Sequence, residues 1–322
     1  MIYLIKRFCL KKILLSLVVL FAIFLVYVIP NKQSKTDNIK EELIYVNKVE
    51  KKNKIFLLDS NDYLASTDIT TTKDKINELA KELIEGLIID SNMQNKIPNG
   101  FKALIPANTQ VLGITIENNL IKVNFNKELM NTNIKNEERI VEAIVYTLTS
   151  LDNINKVMIL VEDKVLTTLP KSNITLPSTL DRSYGINKEY DINNTNNINK
   201  TTIYYLSKFN DNEYYVPVTK INNDNRSKIE IIIDELSSSN VYKTNLLSYL
   251  NSNTKILSVS DENDMLTIDF NNAIFNDINT KEILEEVIYT ICLSINDNYD
   301  VKNIVFNVEN EEIYKSVQKT IE

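Results

Sequence analysis

The sequence predicts an α+β fold built twice in tandem behind a membrane-spanning helix. Three observations predict it. The stretch Val141-Glu-Ala-Ile-Val-Tyr-Thr-Leu-Thr-Ser150 returns as Leu284-Glu-Glu-Val-Ile-Tyr-Thr-Ile-Cys-Leu-Ser294, with Tyr146 and Tyr289 at matching places. Each copy follows a strand-like run, Ile121–Phe125 or Leu266–Phe270, and precedes another, Val157–Val161 or Ile304–Val308. Ahead of both lies one long apolar run, Ile13–Ile29. A long unit used twice fixes the architecture before any single element is read.

That run has 17 residues with Ser16 and Tyr27 as its polar breaks. At helical rise it spans roughly 26 Å, near the lower limit for a bilayer core. Lys6, Arg7, Lys11 and Lys12 precede it, and Pro30 ends it. The positive-inside rule makes residues 1–12 a cytoplasmic tail, 13–30 a transmembrane helix and the remainder extracytoplasmic. A cleaved signal peptide would have a shorter apolar region and small residues at a cleavage site. Val26-Tyr-Val-Ile-Pro30 stands there instead. Residues 31–53 are polar and read as a tether, and 54–184 form the first unit.

Lys54–Leu58 is a strand, and Tyr63–Ile69 returns beside it. Lys73–Leu87 is a helix, because Ile76, Leu79, Ala80, Leu83, Ile84 and Leu87 make one stripe. Thr71 and Asp74 look like its start signal. A long connection, 88–109, leads to a hairpin, Gln110–Thr115 and Leu120–Phe125, joined by Glu117-Asn-Asn119. Glu137–Ser150 is a second helix with Ile140, Val141, Ile144, Val145, Leu148 and Leu151 inward and Asn136 as its cap. Lys156–Val161 is the next strand. An Asn-rich linker, 185–200, is expected to be a flexible connection or a surface wrap.

The second unit, 201–322, repeats the order. Its strands are Ile203–Leu206 and Glu213–Val218. A helix carries Ile229, Ile232, Ile233 and Leu236, and a hairpin joins Thr254–Val259 to Met265–Phe270. A helix at Thr280–Ser294 and a strand at Val301–Val308 follow. Glu311–Ile321 is expected to be a short terminal helix with Ile313, Val317 and Ile321 inward. The offset between the copies falls from 153 at the first helix to 145 at Asn108 and Asn253, so the first unit has extra loop there.

The chemistry is sparse. The 322 residues contain no His and no Trp, which removes Ser-His-Asp and Cys-His catalysis and the commonest zinc ligand. Cys9 and Cys292 fall on opposite sides of the predicted membrane, so no disulfide joins them and Cys292 is read as a small buried residue. The net charge is −7, and the first 30 residues carry four positive charges and no acid, which leaves −11 beyond them. That balance argues against nucleic acid as a partner. No phosphate-binding Gly loop is present. Asp261-Glu-Asn-Asp264 lacks calcium-loop spacing and reads as a hairpin turn. No catalytic, cofactor-binding or metal-ligating residue is assigned.

Tyr146 and Tyr289 are expected to have buried rings and hydroxyls that reach the surface. Asn124 and Asp269 take outward, solvated strand positions. Tyr204-Tyr205 and Tyr214-Tyr215 read as cross-strand pairs that stabilise their hairpin. The alternative is an exposed aromatic patch that binds a partner.

The stretches Val145–Thr149, Leu83-Ile-Glu-Gly86, Ile105-Pro106 with Asn108-Thr109, Val123-Asn-Phe125 and Asn155–Val161 resemble the GerM domain of endospore-forming bacteria. Ile288-Tyr-Thr290, Asn253-Thr254, Ile268-Asp-Phe270 and Val301–Val308 carry the resemblance in the second unit. Together they cover most of residues 50–312. The second copy departs from the pattern at Cys292, and no lipid-acceptor Cys follows the apolar run. The resemblance implies two modules similar to the ring-building motif of secretion systems, each a small, mostly antiparallel sheet packed by two helices. It implies a sporulation or spore germination protein in the outer forespore membrane, facing the intermembrane space and meeting channel proteins or further copies of itself. A non-enzymatic scaffold is the expected role. The rivals are a cell-wall enzyme or its accessory, and a glycan or small-molecule binder with a groove between the units.

Overall fold

The run Ile55–Leu58 and the polar turn after it make a hairpin in the computed structural model, which describes residues 51–238 and 245–317. Strand β1 (Lys51–Asp59) pairs antiparallel with β2 (Leu64–Thr71). The buried Asp59 carboxylate closes the turn by accepting the Asn61 and Tyr63 N–H groups at 2.8 Å each. β1 takes in the last three residues of the predicted tether. The predicted transmembrane helix and basic tail lie outside the described residues. Among the described residues, no helix is long and apolar enough to cross a membrane.

Helix α1 (Ile76–Leu87) starts with the first residue of its stripe, three residues after the predicted Lys73. Glu82, nearly two turns in, accepts the N–H groups of Thr72 (2.9 Å) and Lys73 (3.2 Å) and keeps that entry out of the helix. Thr71 therefore ends β2 and begins no helix. Ala80, Leu83, Ile84 and Leu87 are buried against the sheet. At Gly86 a Cβ would stand 2.8 Å from the Ile55 terminal methyl, so any larger residue would have to displace that side chain. A short strand β3 (Phe101–Lys102) finishes a sheet of order β2-β1-β3.

The hairpin β4 (Val111–Glu117) and β5 (Leu120–Phe125) turns at Asn118-Asn119 as predicted. Helix α2 (Ile134–Leu148) then crosses to β6 (Lys156–Val161), which runs parallel to β5, and β7 (Lys164–Val165) closes the edge. Asn133, not Asn136, caps α2 by accepting the Asn136 N–H at 3.0 Å. The unit thus has two sheets where one was expected. A helical crossover delivers the chain to the same end of the sheet, so the strands it joins are parallel.

The second half repeats this. Strands β8 (Glu189–Asp191), β9 (Asn199–Phe209) and β10 (Asn212–Asn222) form a sheet of order β8-β10-β9. Helix α3 (Lys228–Ser237) has a complete capping box between Ser227 and Glu230. Strands β11 (Ile256–Glu262) and β12 (Met265–Phe270), helix α4 (Glu285–Asn298) and strands β13 (Asn303–Val308) and β14 (Glu311–Val317) complete it. The predicted terminal helix is wrong over its described part. Glu309 and Asn310 both take positive φ (52° and 69°), a two-residue hairpin turn that sends β14 back along β13. Phe306 and Tyr314 then stack with centroids 5.5 Å apart. Helix α4 also starts later than Thr280, because the Asn276 N–H bonds the Glu282 carbonyl and folds that segment on itself.

The Asn-rich linker is not a loose tether. β8 lies within it and pairs parallel with β10, so the second half's sheet begins before residue 201. The described residues form one unit, and Ala65 of the first half is buried in the core of the second.

Candidate functional site at the seam between the halves

The long helices set the geometry. The buried Thr147 hydroxyl of α2 accepts the Phe56 N–H of β1 at 3.0 Å, and the Ser294 hydroxyl of α4 accepts the Tyr204 N–H of β9 at 2.9 Å. Thr147 and Ser294 are thus equivalent, which agrees with the pairing of β5 with β6 and of β12 with β13. Tyr146 then corresponds to Leu293, and Tyr289 to Glu142. The repeated sequence motif is out of structural register by one helical turn. Tyr146 is fully buried and its hydroxyl donates to the Arg182 carbonyl (3.2 Å), so it does not reach the surface. Tyr289 is 47% exposed, contrary to expectation.

Arg182 stands where the halves meet. Its backbone belongs to a 3-10 turn, Arg182–Tyr184, the last residues of the first unit. Its guanidinium donates to Asp297 of α4 (2.6 Å), to the Tyr204 hydroxyl (3.2 Å), and to the Thr149 and Ser150 hydroxyls at the end of α2 (3.0 Å each). The Tyr146 ring lies 4.9 Å from the guanidinium carbon. Burial alone would lower the Arg182 pKa, but the Asp297 carboxylate beside it raises it above the ordinary value. Burial first, and Asp297 second, push the Tyr146 and Tyr204 hydroxyls well up. Arg182 therefore keeps its charge, and both tyrosines stay neutral.

A second cluster lies beside it. Lys188, almost fully buried, donates to Glu138 (2.7 Å), faces Glu142 (3.4 Å) and sits 3.3 Å from the centre of the Tyr184 ring. Burial pushes the Glu142 carboxyl up to about 7, against the pull of Lys188. The Asn187 N–H bonds Glu142, and the Asn187 side chain bridges Leu64 of β2 and Pro217 of β10. Tyr214 completes the seam. Its hydroxyl donates to the buried Asp59 (2.9 Å), and its ring meets Phe101 edge-on at 4.9 Å. On the surface, Asp62 accepts from Lys135 and Arg139, and the Lys135 bond foremost holds its carboxyl down at about 2.

The tyrosine pairs fit neither reading. Tyr204, Tyr205 and Tyr214 are buried, and across the hairpin they face Pro217, Val216 and Ser207 rather than each other. Half-buried Tyr215 meets Tyr289 at 6.1 Å. Asp269 is buried, not solvated, and accepts the Asn310 N–H at 2.9 Å. Its counterpart Asn124 accepts the Asp163 N–H in the same turn of the first half. Asp261–Asp264 is the expected hairpin turn, and Cys292 is buried. Sequence reading missed Arg182, Lys188, Glu142, Asn187 and Asp297. One signal was available: only four of the 36 cations are Arg, at 7, 139, 182 and 226. An Arg where Lys is the habit marks a need for a planar, multidentate donor.

The sporulation and spore germination family, Germane, matches residues 31–167 and 202–314 of the chain. The spore germination protein GerM of Bacillus subtilis (strain 168) is 31% identical over 259 residues, covering 79% of this chain and 70% of that protein. The solved tandem GerMN domains of the sporulation protein GerM from Bacillus subtilis superpose with a TM-score of 0.73 at 29% identity. They cover 81% of this chain and 92% of that one.

Proposed function

The chain belongs to the Germane family of sporulation and spore germination proteins, and from that premise we propose that it serves spore formation or germination as a non-enzymatic scaffold. Residues 13–30 anchor it, and the two modules stand outside the membrane, facing the intermembrane space around the forespore. They present ring-building-type surfaces to channel proteins or to further copies, and head-to-tail contact between unlike faces allows a ring to close.

The observation that carries this reading is the seam. The buried charged and phenolic groups of the two halves converge there. Arg182, Asp297, Lys188, Glu142 and Asp59 are each engaged by groups of the same chain. Such groups hold two modules at a fixed angle, which suits a structural part in an assembly.

Deleting residues 51–322 in the native sporulating cell is expected to lower the yield of heat-resistant spores or slow their germination. Normal spores from that strain would overturn the proposal. Release of muropeptides when the purified chain is incubated with peptidoglycan would overturn its non-enzymatic part.

A further inference from the structure

The two halves do not share charge equally. Residues 51–188 hold 17 acids and 17 cations, whereas residues 189–322 hold 22 acids and 11 cations. So uneven a balance bears on partners rather than on the fold. Part of the acidic excess stands around tyrosines that the seam leaves in solvent. Half-buried Tyr215 of β10 meets exposed Tyr289 of α4 at 6.1 Å, with the rings inclined at 43°. Glu213 lies on the same side of β10 as Tyr215, and it accepts from the hydroxyl of exposed Tyr249 at 3.2 Å. Glu285 and Glu286 form the first turn of α4, one turn before Tyr289. Burial first, then Glu286, Tyr289, Glu285 and Glu213, push the Tyr215 hydroxyl up to about 12, so three carboxylates act on these rings together. Lys208 reaches Glu213 at 3.9 Å, but among the described residues Glu285 and Glu286 have no ion-pair partner.

The matching place in the first half shows what such a surface takes. The register that equates Thr147 with Ser294 also equates Glu138 with Glu285 and Glu142 with Tyr289. There the Lys188 ammonium lies 2.7 Å from Glu138, 3.4 Å from Glu142 and 3.3 Å from the centre of the Tyr184 ring. A cation held by carboxylates over a phenol ring is attracted by both. The second half offers the carboxylates and the rings with the cation missing. The chain has no positive excess of its own to supply it. Residues 31–50 hold four charges of each sign. The unopposed cations, Lys6, Arg7, Lys11 and Lys12, lie across the membrane under the proposed anchor. A second copy brings the same balance and its own acidic half, so the missing charge belongs to a different protein.

We propose that this face is the docking surface for a basic partner polypeptide, whose Arg or Lys side chains lie over the Tyr289 ring and pair with Glu285 and Glu286. Rings and carboxylates together select a guanidinium or an ammonium, and the surrounding acidic half repels anionic polymers and headgroups. The inference rests on the scaffold reading above and names the charge class of the protein that the scaffold meets.

The full-length chain is titrated with a hexa-arginine peptide, and with a hexa-glutamate peptide as the control. The arginine peptide is expected to bind and the glutamate peptide not, with affinity falling as salt rises. Glu285→Gln together with Glu286→Gln should weaken binding about tenfold. Tyr289→Ala should weaken it about twofold to fivefold. Asp261→Asn together with Glu262→Gln removes the same charge from the exposed β11–β12 hairpin, and should change binding by less than about twofold. Equal losses from the two carboxylate pairs would mean a field over the whole half and no site, and would overturn the proposal. So would a hexa-arginine peptide that does not bind, or a Tyr289→Ala variant that binds like the wild type. Tighter binding by Lys243→Ala than by the wild type would make the cation the chain's own, and would also overturn it. Spore yield is not read in this titration, so its failure would leave the scaffold reading standing.

Discussion

Helices α2 and α4 do the same job with different faces. Each presents one hydroxyl, Thr147 or Ser294, to the N–H of a strand in the other sheet of its half. Around that shared point they diverge. The first turn of α2 carries the buried Glu137, which accepts the N–H groups of Lys171 (2.8 Å) and Ser172 (2.7 Å) from the loop after β7. Leu284 takes the corresponding place before α4, with no side-chain cap. α2 is buried almost all round because the Arg182 turn and the linker after it wrap it, whereas α4 keeps Tyr289 open to solvent. The repeat preserves the backbone contact between helix and strand. The similar residues one turn away serve different neighbours.

The sharpest way to test that comparison is to truncate the two tyrosines. Tyr146→Ala should destabilise the chain by about 3–5 kcal/mol, as expected for a large buried aromatic. Tyr289→Ala should cost less than about 1 kcal/mol, because half its surface is already in water. Equal shifts in urea unfolding would contradict the register drawn from the hydroxyl contacts. Next in size, Asp297→Ala should cost about 2–3 kcal/mol by taking the carboxylate from the Arg182 guanidinium, which water partly reaches. Restoring an apolar pair with Arg182→Met and Asp297→Leu should recover much of it in a double-mutant cycle.

Smaller and matched effects are expected at the anchors. Thr147→Val and Ser294→Ala each leave a buried strand N–H unpaired, and each should cost about 1–3 kcal/mol. A large cost at one site and none at the other would break the equivalence. The pH dependence is an effect of comparable size, spread over a wide window. Glu142 titrates higher in the fold than its ordinary value, so its stabilising share is full when it is protonated, below about pH 4.5. That share fades as pH rises through about 7. Unfolding free energy should therefore fall across this window by up to about 3 kcal/mol relative to Glu142→Gln. A wild-type and variant difference that stays flat between about pH 5 and 8 would remove Glu142 as the cause.

Much of the architecture was legible in the residues. Apolar stripes located all four described helices, including Ala80, Leu83, Ile84 and Leu87 on α1 and Ile229, Ile232 and Ile233 on α3. Alternation and polar turns located four of the hairpins, β1–β2, β4–β5, β9–β10 and β11–β12. Boundaries were less legible, because Glu82 and Asn133 act on the backbone several residues away. Glu311–Val317 was misread because a helical stripe of Ile313 and Val317 says nothing of two positive-φ residues just before it. The seam was hidden for a different reason. Arg182 and Asp297 are 115 residues apart, and no local period marks a partner at that distance.

The sequence by itself determined that a strand-and-helix unit occurs twice, because periodic burial is a property of neighbours along the chain. Only the tertiary structure decided how the copies are matched, one helical turn away from their most similar letters. Only it decided which distant residues meet where the halves join. Those outcomes depend on hydrogen bonds and ion pairs between distant residues, whose energies exist only once packing has excluded water from the seam.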